Sequence, residues 1–547
     1  MNQKRTGILS RGGGKCISFA LTWMLTLAAF LLPSNAMADD NEGMYALYNS
    51  TDKTLTFKYG AIPTSSDENI TVYDQFFSDD SYDPHWVQNQ KDVTSVVFDE
   101  SFAQARPTSC NGWFQDMANL TSIKGIEYLN TEEVQYFSNM FKGCAALNSV
   151  DLTKFNTEKA TTMNSMFNGC SSMKSINLSS FNTANVEKMA SMFYGCSSMT
   201  SIDLSIFNTT NVESMKEMFY ECTSLTSLDL SNFNTTSVKT MTKMFNGCSN
   251  LNSIYVSDKF VTTSVKKSSD MFTGCNSLVG AVKCAESSAF DATMANYKTG
   301  YFKTYYRIGD TKHDLCGETL SVTDLVLEDG KDFVALAPFT ANTATYSRTM
   351  TSNWGTLCLP FAVDASSMAD YSFYTLKNVT GDLITLKQME GKIEAGTPVL
   401  VYSDKGSLSI SASNASVVTS PADGTKASGW QLVGSFTETE VPDDGYIISK
   451  NKFWLTSDLK SNSAVKAVKT KGLRAWLKSG SDSSEAKAHV LGFAFDDEDE
   501  TSAIDAIDGL TEGTAEIYDI QGRRIDHLQK GLNIVKTDNV TKKVMVK

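Results

Sequence analysis

The phrase Met-Phe-x-Gly-Cys returns through the middle of the chain at a fixed interval, and that interval constrains the fold more than any local signal. Cys144, Cys170, Cys196, Cys222 and Cys248 follow one another every 26 residues, and Cys275 comes after 27. Behind each cysteine stands an apolar-x-x-apolar-x-apolar run, such as Met173/Ile176/Leu178, Met199/Ile202/Leu204 and Leu225/Leu228/Leu230. A period between about 20 and 50 residues calls for stacked units, because one unit cannot bury its own apolar face.

Within a unit the hydrophobic period changes. Ile202-Asp203-Leu204 alternates, which predicts a short strand with one buried face. Asn208-Thr209 then offers a polar cap, and Val212, Met215, Met218 and Phe219 follow at helical spacing. Asn156-Thr157, Asn182-Thr183 and Asn234-Thr235 repeat that cap, whose side chains can accept from free helix N–H groups. Gly143, Gly169, Gly195, Gly247 and Gly274 suit a left-handed residue ending a helix. The predicted unit is strand, loop, helical turn and tight reversal, with the methionine columns Met163/Met166 to Met241/Met244 in the core.

The pattern MFxGCxxLxxIDLSxFNTxxVxxM, nearly intact in four successive copies, resembles the 26-residue leucine-rich repeat of BspA-like bacterial surface proteins. Degenerate copies at Val93/Val96/Phe98, Leu120/Ile123 and Leu278 extend the resemblance over 93–283. It implies an α/β leucine-rich-repeat solenoid, short parallel strands plus helical turns, and adhesion to host proteins or other bacteria.

The first 38 residues read as a signal peptide. Lys4, Arg5, Arg11 and Lys15 precede an apolar run from Ile17 to Leu32, and Ala36-Met37-Ala38 offers a cleavage site before Asp39. That run is short for a membrane span, and no second long apolar segment follows, so no transmembrane helix is expected in the mature chain. Cys16 lies before the run, so lipid attachment at a new N-terminus is not expected. The destination is export, to the cell surface or beyond. A formal charge of −14 argues against nucleic acid as a partner.

Ten cysteines remain after cleavage, which in a secreted chain raises the question of disulfides. Six share one position in stacked units, and Met117 occupies that position in the first full unit. A site that accepts methionine fills a core. Parallel side chains on coils about 4.8 Å apart also sit too far apart for a bridge that wants Cβ atoms roughly 3.8 Å apart. The six are expected as buried free thiols. Cys110, Cys284, Cys316 and Cys358 stand outside this reasoning and are open to pairing.

Around the solenoid the sequence divides into an N-terminal cap at 39–92, a transition segment at 284–345 and an all-β, sandwich-like region at 346–495. An acidic linker, 496–514, opens with Asp496-Asp497-Glu498-Asp499-Glu500. The small β module 515–547 carries IYDIQGRRI and KGLNIV, and resembles the C-terminal sorting modules of secreted Bacteroidota surface proteins.

Chemistry is sparse. His85, His313, His489 and His527 lie far apart, and Cys-x-x-Cys, Gly-x-Ser-x-Gly, His-Glu-x-x-His and a phosphate-cradling glycine loop are lacking. The expectation is no catalytic residue, no cofactor and no metal. What the repeats offer is a face: Ser149, Asp151, Ser175, Asn177, Ser201, Asp203, Ser227, Asp229, Ser253 and Tyr255 stand between buried strand positions. Stacking makes them a hydroxyl column and a mainly carboxylate column. They form a polar recognition strip, or their Asp and Asn side chains bond the adjacent backbone and keep the sheet wet. The expected function is an exported, adhesin-like binding protein whose partners are host or bacterial surface proteins or glycans. The alternatives are a secreted carbohydrate-active or hydrolytic enzyme with catalysis in 346–495, and a plain structural spacer.

Overall fold

The computed structural model describes residues 42–74, 84, 86, 91–461, 466–480 and 489–495, and the strand backbone at 516–519, 524–525, 531–536 and 541–546. The expected signal peptide 1–38 and acidic linker 496–514 lie outside the described residues, as do His85 and His527.

Strands β1 (Glu42–Asn49) and β2 (Thr54–Ala61) form an antiparallel hairpin, with β3 (Ile70–Tyr73) on the outer side of β1. Strand β4 (Ser95–Phe98) joins β2 in parallel, and β5 (Ser122–Lys124) joins β4 in the same sense. The hairpin thus begins a sheet that the first repeats continue. Phe57, Phe98, Phe102 and Trp113 pack beneath it, fully or almost fully buried. Further along, β6 (Ser227–Asp229) and β7 (Ser253–Tyr255) pair in parallel. A second parallel ladder links the coils through Ser109, Tyr136, Thr162, Lys188, Ser214, Thr240 and Lys267.

The helical turns expected of each unit are not formed, and the α/β leucine-rich-repeat reading is corrected on that ground. Among the described residues the one α-helix is Thr456–Ser461, well outside the repeats. In the coil around Phe219, the N–H groups of Met215, Glu217, Phe219 and Glu221 donate forward, to carbonyls of Thr240, Thr242, Met244 and Asn246 in the next coil, at 2.8–3.0 Å. The N–H groups between them, of Met218, Tyr220 and Cys222, close three-residue turns on Met215, Glu217 and Phe219. Glu217 and Glu221 have φ of 56° and 54°, and a left-handed residue stops a right-handed helix. Successive three-residue turns place Val212, Met215 and Met218 at intervals that imitate a helical stripe. The coils are therefore turns stitched by parallel β-type contacts.

The Asn-Thr pairs cap no helix either. Asn208 Oδ1 accepts the N–H of Thr210 at 3.1 Å in a local turn. The threonine faces inward: Thr183 Oγ1 donates to the Asn208 carbonyl at 3.0 Å and accepts the Asn208 N–H at 2.8 Å. Thr131, Thr157, Thr183, Thr209 and Thr235 repeat as a buried hydroxyl column. Both of these groups on the next coil are satisfied by one side chain, as buried backbone requires.

Phenylalanine forms the axis of the stack. Phe141, Phe167, Phe193, Phe219, Phe245 and Phe272 lie face to face at centroid separations of 5.5–5.8 Å. The repeat cysteines are fully buried and unpaired. Each thiol donates back to a phenylalanine carbonyl of the preceding coil, Cys196 to Phe167 at 3.1 Å and Cys222 to Phe193 at 3.0 Å. Cys110, Cys284 and Cys358 are also buried and unpaired, whereas Cys316 is exposed. Burial pushes the Cys110, Cys196 and Cys358 thiols up, because a thiolate loses its water there. Alkylation of the native chain at mildly alkaline pH is therefore expected to modify Cys316 alone among these ten. Peptide mapping after a short pulse checks this, and rapid labelling of any repeat cysteine would contradict the packing.

After the last coil, β8 (Thr304–Ile308) and β9 (Thr311–Leu315) form a hairpin. Lys303, just before β8, bridges Tyr255 in parallel, so the strand face of the stack runs on into this hairpin. In the region expected as a sandwich, Ser407–Val417 belongs to a three-stranded sheet with Phe339–Thr349 and Ser321–Glu328, and most other strands join one large curled sheet of ten, running from Trp354–Leu357 at one edge to Lys426–Ala427 at the other. Its curl draws Trp354–Leu357 against Arg474–Lys478, where Thr356 Oγ1 donates to the Ala475 carbonyl at 2.7 Å and accepts its N–H at 3.1 Å. The C-terminal residues contribute a separate four-stranded antiparallel sheet of Glu516–Asp519, Arg524–Ile525, Gly531–Lys536 and Thr541–Val546.

Candidate functional site

The strand face of the coils carries the candidate strip. Ser149, Asp151, Ser175, Asn177, Ser201, Asp203, Ser227 and Asp229 are all exposed, and each pair flanks an inward apolar residue. Between the last two coils of the strip, Ser227 pairs with Ser253 and Asp229 with Tyr255. The acidic column also has a local duty. Asp151, Asn177, Asp203 and Asp229 each accept the N–H two residues on, from Thr153, Ser179, Ser205 and Ser231, at 2.9–3.0 Å. Donation from Thr153 lowers the Asp151 carboxyl below its ordinary value, and Ser205 does the same for Asp203. One carboxylate or amide oxygen thus turns the chain at the end of each strand position.

The last pair is different. Ser253 is buried, accepting from Lys303 Nζ at 2.9 Å and donating to Asn252 Oδ1 at 2.8 Å. Tyr255 is half-buried, and its hydroxyl donates to Asp314 Oδ2 at 3.2 Å. Tyr305 stands edge-on to Tyr255 at 5.7 Å and donates to Asp229 Oδ2 at 3.2 Å. The Lys312 ammonium lies 3.0 Å from the centroid of the Tyr255 ring and 4.1 Å from that of Tyr305, with Asp229 Oδ2 at 3.9 Å. Burial raises the Tyr255 phenol to about 12 and lowers the Lys312 ammonium, against the attraction of Asp229 and Asp314. The hairpin after the repeats therefore closes the far end of the strip, leaving the Ser/Asp columns of the earlier coils open. Lys303, Tyr305, Lys312 and Asp314 went unforeseen, because partners 50 and 76 residues apart leave no local signal.

The turn ribbon holds a further departure from the repeat. Glycine at positive φ fills one position in Gly143, Gly169, Gly195, Gly247 and Gly274, but Glu221 holds it at 54°. A left-handed backbone costs a residue with a Cβ roughly 1–2 kcal/mol. A Cβ on Gly195 would meet only Gly169, its Cα at 3.7 Å and its N at 3.8 Å, so space is not the obstacle there. Glu221→Gly is accordingly expected to stabilise the stack by about 0.5–1 kcal/mol, after the greater unfolded-state freedom of glycine is allowed for. Gly195→Glu should destabilise it by a similar or larger amount. Matched urea melts check both signs, and a destabilised Glu221→Gly would contradict the strain.

Among the described residues there is no group of three or more His, Cys, Asp or Glu placed to hold a metal. No helix of the described residues is long and apolar enough to cross a membrane.

The model of a family described as "Mycoplasma protein of unknown function, DUF285" matches the chain twice, over residues 108–223 and 197–303, which lie in the repeats and end just before β8. No curated protein and no solved structure matches the chain.

Proposed function

We propose that this chain is an exported cell-surface binding protein of adhesin type, which presents its stack of coils to host or bacterial surface proteins or glycans. The resemblance of its repeats to those of BspA-like surface proteins supports that role. The observation that carries it is the open strip from Ser149 to Ser227, exposed on a scaffold whose coils are locked by backbone, threonine and thiol bonds. A rigid polar face loses little entropy on binding. The enzymatic alternative called for paired carboxylates in an aromatic cleft within 346–495. There the curled sheet encloses packed Leu376, Ile384, Leu386, Leu400, Tyr446 and Phe453, which favours binding over catalysis.

The test uses the full chain on host cells, bacterial cells and a glycan array. Ser175→Arg with Ser201→Arg places two long side chains across the strip without touching the core. Binding weakened by tenfold or more supports the strip. Undiminished binding would move the activity elsewhere, and no binding by the parent chain would favour a spacer.

A further inference from the structure

A second surface runs along the turn ribbon. The position between each core phenylalanine and the left-handed residue is Lys142, Asn168, Tyr194, Tyr220, Asn246 and Thr273 in successive coils. Tyr194 and Tyr220 are half-exposed, and their rings stack at 4.5 Å with 12° between planes. The coil bearing Tyr220 also replaces the usual glycine by Glu221 and carries Glu217 at its other left-handed position. Glu221 is exposed and has no ion-pair partner among the described residues. Glu217 is engaged, accepting from Ser191 at 3.3 Å and facing Lys216 at 3.5 Å. The Lys243 ammonium sits 5.8 Å from the Tyr220 ring centroid, so one cation of the chain already uses this aromatic pair.

These features converge on one coil boundary. Asp116 holds the same left-handed position in the first coil, at 57°, but among the described residues only Glu221 sets a carboxylate there beside stacked tyrosines. An aromatic pair beside a carboxylate attracts cations through the ring quadrupole and through charge. The net charge of −14 draws the same class of partner from a distance.

We propose that Tyr194, Tyr220 and Glu221 form a docking patch for a basic polypeptide segment, whose lysine or arginine side chains meet the stacked rings and the Glu221 carboxylate. This patch is independent of the strand-face strip.

The test titrates the full chain with a fluorescent hexa-arginine peptide at low ionic strength. Glu221→Gly, and Tyr194→Asn with Tyr220→Asn, install residues that neighbouring coils already use, so the stack is retained. Each is expected to weaken binding roughly two- to fivefold, and together about tenfold. Glu132→Gly, which removes the same charge from an exposed site elsewhere, should change affinity less than about twofold. Because Glu221→Gly should also raise stability, weaker binding by that variant is not a folding defect. Equal weakening by Glu132→Gly and Glu221→Gly would reduce the effect to net charge and overturn the patch. So would unchanged binding by the double tyrosine variant.

Discussion

Deleting residues 197–222 from the full chain should leave a folded protein, whereas deleting only 197–209 should abolish folding of the stack. The first deletion joins Cys196 to Thr223 and restores every column, since Thr223 follows Cys222 as Ser197 follows Cys196. The forward N–H bonds, the threonine bonds and the thiol bonds then meet equivalent partners one coil away. Neighbour-only contacts make the loss that of one coil and one interface. Half a coil shifts the phase of everything beyond it. Phe219 would face turn polar groups in place of Phe193, and the Thr183 hydroxyl would lose both groups of Asn208. Buried donors and acceptors left without partners cost about 1–3 kcal/mol each, and several fail at once. Circular dichroism melts and urea titrations separate the outcomes. Equal damage from both deletions would show that the coils are not interchangeable.

The same logic makes Phe193→Ala a costly single truncation, at about 3–5 kcal/mol. Its ring lies 5.8 Å from Phe167 and 5.7 Å from Phe219, nearly parallel to both. A core relaxes into a cavity only if its walls can approach. Here the separation of the coils is set by hydrogen bonds, including Phe193 N–H to the Met218 carbonyl at 3.0 Å. The gap should therefore stay open. Phe193→Leu should recover part of the loss by refilling it. Urea melts of the two, with Ile206→Ala on the surface as reference, decide the matter. A loss at Phe193→Ala no greater than at exposed Ile206 would contradict a locked axis.

What could be read from the sequence follows from which residue types have a single physical use. Glycine at a fixed place reads as positive φ because only it lacks Cβ, and Gly143, Gly169 and Gly195 adopt it. The second left-handed position was hidden, since Asn139, Ser165, Ser191, Glu217, Lys243 and Asp270 share no residue type. Without it, turns of three residues look like a helix, and the α/β assignment followed. The cysteine column was legible as a core position through Met117, but not the thiol-to-carbonyl bond that each Sγ makes. The polar strip was legible from alternation. Its closure by Lys303, Tyr305 and Lys312 was not, because it depends on where the stack ends in space.

The forward direction of the ribbon bonds gives the stack two unlike ends. Its last coil is left with outward donors and its first with outward acceptors, so each end is the natural mate of the other. Two groups occupy these ends: Trp86 Nε1 donates to the Trp113 carbonyl at 2.7 Å, and the Phe290 carbonyl takes the Phe272 N–H at 3.0 Å. A head-to-tail match of this kind forms a ring where its rotation closes and an open filament where it does not. The indole and the carbonyl each take up one ribbon group at an end of the stack, a group that a further coil would otherwise meet.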